Sequence, residues 1–129
     1  MILDTSAVVA LVMKEPGYEA ILERLSSDVT PAIGAATLAE AAIVLSARLK
    51  TDARPLLARL LSEASVDVVP FGDSHYGAAV EAWLRYGKGR HPAALNFGDC
   101  LAYAVARLAN EPLLYVGEDF AKTDLARGA

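Results

Sequence analysis

"MILDTSAVVALVM", Met1 to Met13, reads as a strand that turns directly into a helix. Met1, Ile2 and Leu3 form an apolar run suited to a short buried strand. Asp4, Thr5 and Ser6 are three residues in a row of the kind that caps a helix N-terminus through a side-chain oxygen. A carboxylate therefore stands where the strand ends and the helix begins.

The same order recurs outward from this unit. "TPAIGA" (Thr30–Ala35) is a weak strand before the strongly apolar helix "TLAEAAIVLSARL" (Thr37–Leu49). "VDVVP" (Val66–Pro70) precedes the helix "DSHYGAAVEAWLRYG" (Asp73–Gly87), and "PLLYV" (Pro112–Val116) is the last clear strand, followed by "GEDFAKTDLARGA". Two helices have apolar positions at helical spacing with polar residues between: "YEAILERLSSD" (Tyr18–Asp28), after the Glu15-Pro16-Gly17 break, and "DARPLLARLLSEA" (Asp52–Ala64), whose Pro55 fits only in a first turn. "KGRHPAA" (Lys88–Ala94) is a loop and "NFGDCLAYAVARLAN" (Asn96–Asn110) a further helix. Strand and helix alternate without repeats or linkers, which predicts one α/β domain over residues 1–129 with a parallel sheet covered by helices.

Composition limits the classes available. The chain has 129 residues, enough for a single substantial core. Its hydrophobic share is 54%, or about 57% when nine Gly are counted and five Tyr are not, against a usual 45–50%. That excess predicts surface hidden in a partner. Apolar runs such as "AAIVLSA" are far shorter than the roughly 18 residues that span a bilayer, so no membrane role is expected. No signal-type segment opens the chain and the lone Cys100 cannot form an internal disulfide, which together predict a cytoplasmic protein. Cys100 lies within an apolar run and reads as a small buried hydrophobe. Twelve basic against sixteen acidic residues, a net charge of −4, argue on their own against binding nucleic acid.

The acids carry the chemistry. In an open parallel sheet the carboxyl ends of the strands and the amino ends of the following helices share one edge, where sites form. Asp4 follows the first strand, Glu40 sits near the start of the helix after the second, Asp99 lies in the first turn of the helix from Asn96, and Asp119 lies just past the last strand. Each also has a purely structural reading. Asp4 is a natural N-cap, Thr37-Leu38-Ala39-Glu40 matches a capping box, Asn96 with Asp99 resembles one, and Asp119 suits a turn. Taken together the structural readings weaken, because Ile43 and Val44 after Glu40, and Ala102 and Tyr103 after Asp99, turn both acids toward the packed side. Two unit charges 4 Å apart repel by about 4 kcal/mol at an effective dielectric of 20. Four such carboxylates want a divalent cation, and oxygen donors alone select Mg²⁺ or Mn²⁺ over zinc. His75 and His91 are isolated and supply no zinc spacing.

These residues resemble the PIN-domain ribonucleases and, within them, the VapC toxins of bacterial toxin–antitoxin pairs. The resemblance is carried by "MILDTSAVVAL", "TLAEAAIVL", "YGKGRHPAALNFGDCLAYAVA" and "PLLYVGEDFAKTD", and it runs nearly the whole chain. It implies a three-layer α/β/α fold with a central parallel sheet of four to five strands, and Asp4, Glu40, Asp99 and Asp119 as an acidic quartet that holds one or two Mg²⁺ or Mn²⁺ ions. It further implies that Thr5 or Ser6 and Asn96 support the metal shell through hydrogen bonds and that Asp124 is an accessory acid nearby. The activity implied is hydrolysis of RNA phosphodiester bonds by an activated water, with a VapB-type antitoxin as partner. The chain ends ten residues after Asp119, so the small fifth strand common in the family is expected to be short or missing.

Local charge then outweighs net charge. "RYGKGRH" places Arg85, Lys88 and Arg90 just before Asp99, where they can hold an RNA backbone, although a glycine-rich solvated loop is the plain alternative. Lys14, Arg48 and Lys50 read as ordinary surface residues, and Trp83 and Tyr86, three apart, as core. The apolar excess from Tyr18 to Ala64 suggests a homodimer and a groove for the antitoxin. Two rivals remain. A Mg²⁺-dependent phosphatase of the haloacid-dehalogenase kind needs a second Asp where Ser6 stands, and a receiver domain needs a Lys that "YVGEDF" lacks. A catalytically inactive interaction module on the same fold has no use for an intact acid quartet.

Overall fold

The computed structural model describes residues 1–27 and 30–125. In chain order these form β1 (Ile2–Leu3), α1 (Thr5–Met13), α2 (Tyr18–Ser27), β2 (Ala32–Gly34), α3 (Ala35–Leu49), α4 (Arg54–Glu63), β3 (Asp67–Val69), α5 (Asp73–Tyr86), α6 (Phe97–Ala109) and β4 (Leu113–Leu114), with a 3₁₀ turn over Phe120–Lys122. The Asp28 end of the second predicted helix and the last four residues of the tail lie outside the described residues.

The sheet order is β3-β2-β1-β4, and every neighbouring pair is parallel, as the alternation predicts. Among the described residues there are four strands, the lower end of the expected range. The strands are short, but the ladder continues past their ends: Ile2 N–H donates to the Pro112 carbonyl at 2.8 Å, Asp4 N–H to Leu114 at 2.9 Å and Ala32 N–H to Met1 at 2.9 Å.

Alternation of side chains across the pleat produces the two covered faces. Ile2, Ala32 and Leu113 are in register and pack with α5 and α6, against Ala79, Ala82, Tyr103 and Val105. Their successors Leu3, Ile33 and Leu114 face the other way, into Val8, Ile21, Leu45 and Leu57 of α1 to α4. The sheet is thus the middle of three layers. Each fully buried Leu or Ile stabilises the fold by roughly 1.5–3 kcal/mol.

One boundary differs from the sequence reading in a way that bears on the site. The third helix starts at Ala35, with Gly34 as its N-cap and no side-chain cap bond. Gly34 ends β2 and lies so close to α6 that a Cβ there would come 2.7 Å from Val105 Cγ2, so the chain passes from strand to helix without a loop. Thr37 is consequently inside the helix, its buried Oγ1 without a hydrogen-bond partner among the described residues, and it does not form the expected capping box with Glu40. Pro55 lies in the first turn of α4 as predicted. Among the described residues no helix is long and apolar enough to cross a membrane.

Candidate active site

Asp4 is the N-cap of α1 and almost completely buried, 4% exposed. Its Oδ2 accepts from Ser6 N–H at 3.0 Å and from Ser6 Oγ at 2.6 Å. Ser6 Oγ in turn accepts from Val116 N–H at 2.9 Å, which ties the carboxylate to the segment after β4. Burial raises the Asp4 carboxyl above its ordinary range, the Ser6 bonds oppose that rise, and the charge of Glu40 adds to it.

Glu40 comes to the same place from α3. Its Oε1 accepts a 2.5 Å hydrogen bond from Thr5 Oγ1, next in sequence to Asp4. On its far side it lies against the start of α6, where a Cβ at Gly98 would come within 2.1 Å of Glu40 Oε2. Only glycine leaves room there for a carboxylate. Ile43 does not help to orient Glu40, because it is 70% exposed; the side chains that share its face are Val44 and Arg48, at i+4 and i+8, which line the same cleft.

Asp99 stands one residue after Gly98, in the first turn of α6. It forms the reciprocal cap foreseen with Asn96: Asp99 N–H donates to Asn96 Oδ1 at 2.8 Å, and Asn96 N–H donates to Asp99 Oδ2 at 3.0 Å. Even so, its carboxyl is pushed up to about 6, first by burial and then by the charges of Asp4, Asp119 and Glu40. Asp4, Glu40 and Asp99 line one cleft of about 280 Å³, together with Thr5, Ser6, Asn96 and Val116. Asp119 is exposed at the head of the 3₁₀ turn and outside the lining, yet near enough for its charge to act on Asp99.

Comparison with known proteins shows the family. The PIN domain family matches residues 1–125. Over 126 residues the chain is 52% identical to ribonuclease VapC36 of Mycobacterium tuberculosis, covering 97% of this chain and 91% of that one. The chain belongs to the PIN-domain family, among its VapC ribonucleases. Ribonuclease VapC30 of the same organism is 40% identical over 98% of this chain and 96% of its own. Among solved structures, the Mycobacterium tuberculosis toxin VapC20, described as cleaving the Sarcin-Ricin loop, superimposes with a TM-score of 0.73 at 21% identity, over 93% of this chain and 92% of that one. A toxin–antitoxin complex from Klebsiella pneumoniae gives 0.71 at 20% identity, over 96% and 92%. These two likenesses concern the fold.

Among the described residues of this PIN domain, no three His, Cys, Asp or Glu side chains form a ready-made metal cage. Glu40 is instead bonded to Thr5 and Asp99 to the Asn96 amide. The donor set nonetheless fits a hard divalent cation. It is all oxygen, Gly98 leaves space for the Glu40 carboxylate, and two of the acids are held above their ordinary range by burial and mutual repulsion.

The other expected site residues separate. Asp124 does not line the cleft; it accepts from the Tyr103 hydroxyl at 2.9 Å and pairs with Arg85 at 3.7 Å and Arg107 at 3.8 Å. Arg85 belongs to the last turn of α5 and also donates to Tyr86 Oη, so it is not on the loop before Asp99. Arg90 lies over the Trp83 ring, and Lys88 lines a second cavity that adjoins Asn96. His75 and His91 accept from the Gly72 and Ala93 amides through Nδ1, and Cys100 is buried with its thiol pushed up to about 11. Arg48, read from sequence as ordinary surface, lines the acid cleft and pairs with Glu15 at 3.4 Å. The signal for it was the Glu40, Val44, Arg48 stripe.

Proposed function

We propose that this PIN domain is the toxin of a type II toxin–antitoxin pair, a Mg²⁺- or Mn²⁺-dependent endoribonuclease that hydrolyses RNA phosphodiester bonds. The observation that carries this reading is the single cleft lined by Asp4, Glu40 and Asp99, three carboxylates from three separate elements that are in no ion pair with a Lys or Arg among the described residues. Asp119 is the fourth ligand or orienting group of the same site. Asp4, Glu40 and Asp99 would hold a divalent ion there, which would supply an activated water and stabilise charge on phosphate oxygens.

The chain's own residues prepare this chemistry. Ser6 holds the Asp4 carboxylate, Thr5 aims Glu40, and Asn96 fixes Asp99, so no acid has to find its rotamer when substrate binds. Lys88 and Arg90, beside the second cavity and the Trp83 ring, and Arg48, which lines the cleft, are the phosphate contacts. The names of the relatives support the ribonuclease activity, and the complex from Klebsiella pneumoniae supports an antitoxin as partner. Exposed Leu22, Ile43, Leu49 and Leu56 on α2 to α4 offer the apolar surface that an antitoxin helix or a second copy needs. The cytoplasm is the compartment where such an enzyme meets RNA.

The test is brief expression of the chain without an antitoxin, followed by sequencing of RNA 5′ ends, beside the purified protein with RNA in Mn²⁺ or in chelator. Discrete new ends, formed by the purified protein only with the metal, are expected. Cleavage that persists in chelator, or in the Asp99→Asn protein, refutes the site.

A further inference from the structure

A second cavity, between α5 and α6, has no role in the account above. It measures about 350 Å³, and its walls include Val80, Trp83, Lys88, Asn96, Phe97 and Cys100. Phe97 is 79% exposed at the first position of α6, and Trp83 is 43% exposed although its spacing with Tyr86 suggested core; only Tyr86 is buried. Large aromatic side chains left open beside a cavity contribute little to the fold. Two cations stand with them: Lys88 in the wall and Arg90 with its guanidinium 4.8 Å from the centre of the Trp83 ring.

The cavity is preformed and shares the Asn96 wall with the acid cleft. Lys88 N–H donates to Leu95 and Leu95 N–H to Tyr86, both at 2.9 Å, so the 88–94 loop is pinned at its two ends. Asn96 lines both the cavity and the cleft, and it holds Asp99 through Oδ1. A strand whose phosphate lies against Asp99 therefore has the cavity next to it, on the other side of Asn96.

We propose that this cavity seats one unpaired nucleobase of the RNA strand, next to the phosphate at the acid cluster; the proposal rests on the ribonuclease reading above. Unstacked bases are recognised by stacking on aromatic rings with a few polar groups at their edges. Phe97 and Trp83 supply the apolar faces, the amide hydrogens of Asn96 supply donors to a base edge, and Lys88 and Arg90 face the adjoining phosphates. The volume is at the small end of ligand clefts, about 300–1,000 Å³, which suits one flat ring system. The cations favour RNA over an apolar protein helix. A base held here makes Phe97 and Trp83 determinants of which sequence is cut.

Trp83 is the only tryptophan of the chain, so its emission reports on the cavity. The full-length Asp99→Asn protein is titrated with six-nucleotide RNAs of A, C or U, each intact and with one abasic position, while binding is followed separately by anisotropy. A saturable change in emission is expected with the preferred intact RNA and not with its abasic form. Phe97→Ala, which truncates an exposed side chain, is expected to weaken binding about 10- to 100-fold. In the otherwise unaltered enzyme it flattens the base preference beside the cut. RNA binding with no change in emission, or an unaltered cut-site profile in Phe97→Ala, overturns the base seat and leaves the ribonuclease reading standing. No RNA binding at all overturns both. An emission change that follows protein concentration without RNA assigns the cavity to a second copy and overturns the proposal.

Discussion

Asp99→Asn separates a catalytic carboxylate from a helix-capping one by the sign of its effect on stability. Asn keeps the shape and the acceptor that receives the Asn96 amide, and it removes one charge from a repulsive cluster. A carboxyl held near 6 in the folded protein, against 3.8 when exposed, binds a proton in the fold more tightly than in the unfolded chain. The contribution of Asp99 to stability is therefore greatest below about pH 4 and is lost as the pH rises through 6. Above that, the ionised carboxylate costs up to about 3 kcal/mol, or about 2 kcal/mol once solvent screening of a partly exposed side chain is counted. In chelator at pH 8 the Asn protein is expected to melt roughly 8 °C higher than the parent, and the gap should narrow to about 0.5 kcal/mol at pH 4. Urea or thermal melts of both proteins over pH 4–8 at constant ionic strength measure it, and other titrating groups cancel in the difference. If Asp99 served only the helix dipole, Asn would instead lower stability by about 0.3–1 kcal/mol at pH 8 and spare activity. That result would refute the reasoning.

Three further outcomes follow from the same geometry. Mn²⁺ should raise the melting temperature of the parent, by about 2.7 kcal/mol of stability at a hundred times its dissociation constant, and a curve unchanged from that in chelator at matched ionic strength counts against the site. Gly98→Ala, which in an ordinary helix gains up to about 1 kcal/mol, should here drive Glu40 out of the cleft and reduce cleavage at least tenfold; melting of the double variant with Glu40→Ala should recover the helix gain, and failure to recover it means that the contact is not with Glu40. Glu40→Gln should leave a folded protein with cleavage down a hundredfold or more, since a neutral amide replaces the anionic oxygen; normal cleavage would restrict the metal site to the other three acids.

The fold was legible because one physical pattern, apolar strand followed by capped helix, recurs along the chain, and because parallel strands buried on both faces read as continuous apolar runs such as Met1 to Leu3 and Leu113 to Leu114. The edge position of the acids follows from that topology. What could not be read is what depends on close approach between elements distant in sequence. Thr37 matched a capping box, but Gly34 packs directly on Val105 and starts the helix two residues sooner. The apolar stripe at Ile43 pointed outward, and Arg48 pointed into the cleft, because α3 presents its Glu40 face to α6 rather than to the sheet alone. Trp83 and Tyr86 share a helix and differ in fate: Tyr86 stacks near His91 and Tyr103 in the core while Trp83 meets Arg90 at the surface. Spacing along one helix fixes which residues share a face and leaves open what that face meets.

The same closeness explains how a fold can hold carboxylates that repel one another. Each of the four acids is next in sequence to a residue of the packed interior: Asp4 follows Leu3, Glu40 precedes Ala41, Asp99 precedes Cys100 and Asp119 precedes Phe120, all nearly inaccessible. A backbone anchored one residue away cannot swing an acid out to solvent without unpacking a core position, and deleting a buried side chain such as Leu3 costs about 2–5 kcal/mol. That is comparable to or larger than the roughly 2 kcal/mol that burial and repulsion together cost the ionised Asp99. The interior therefore fixes the acids in opposition, and the repulsion is released by protonation or by a bound cation rather than by rearrangement.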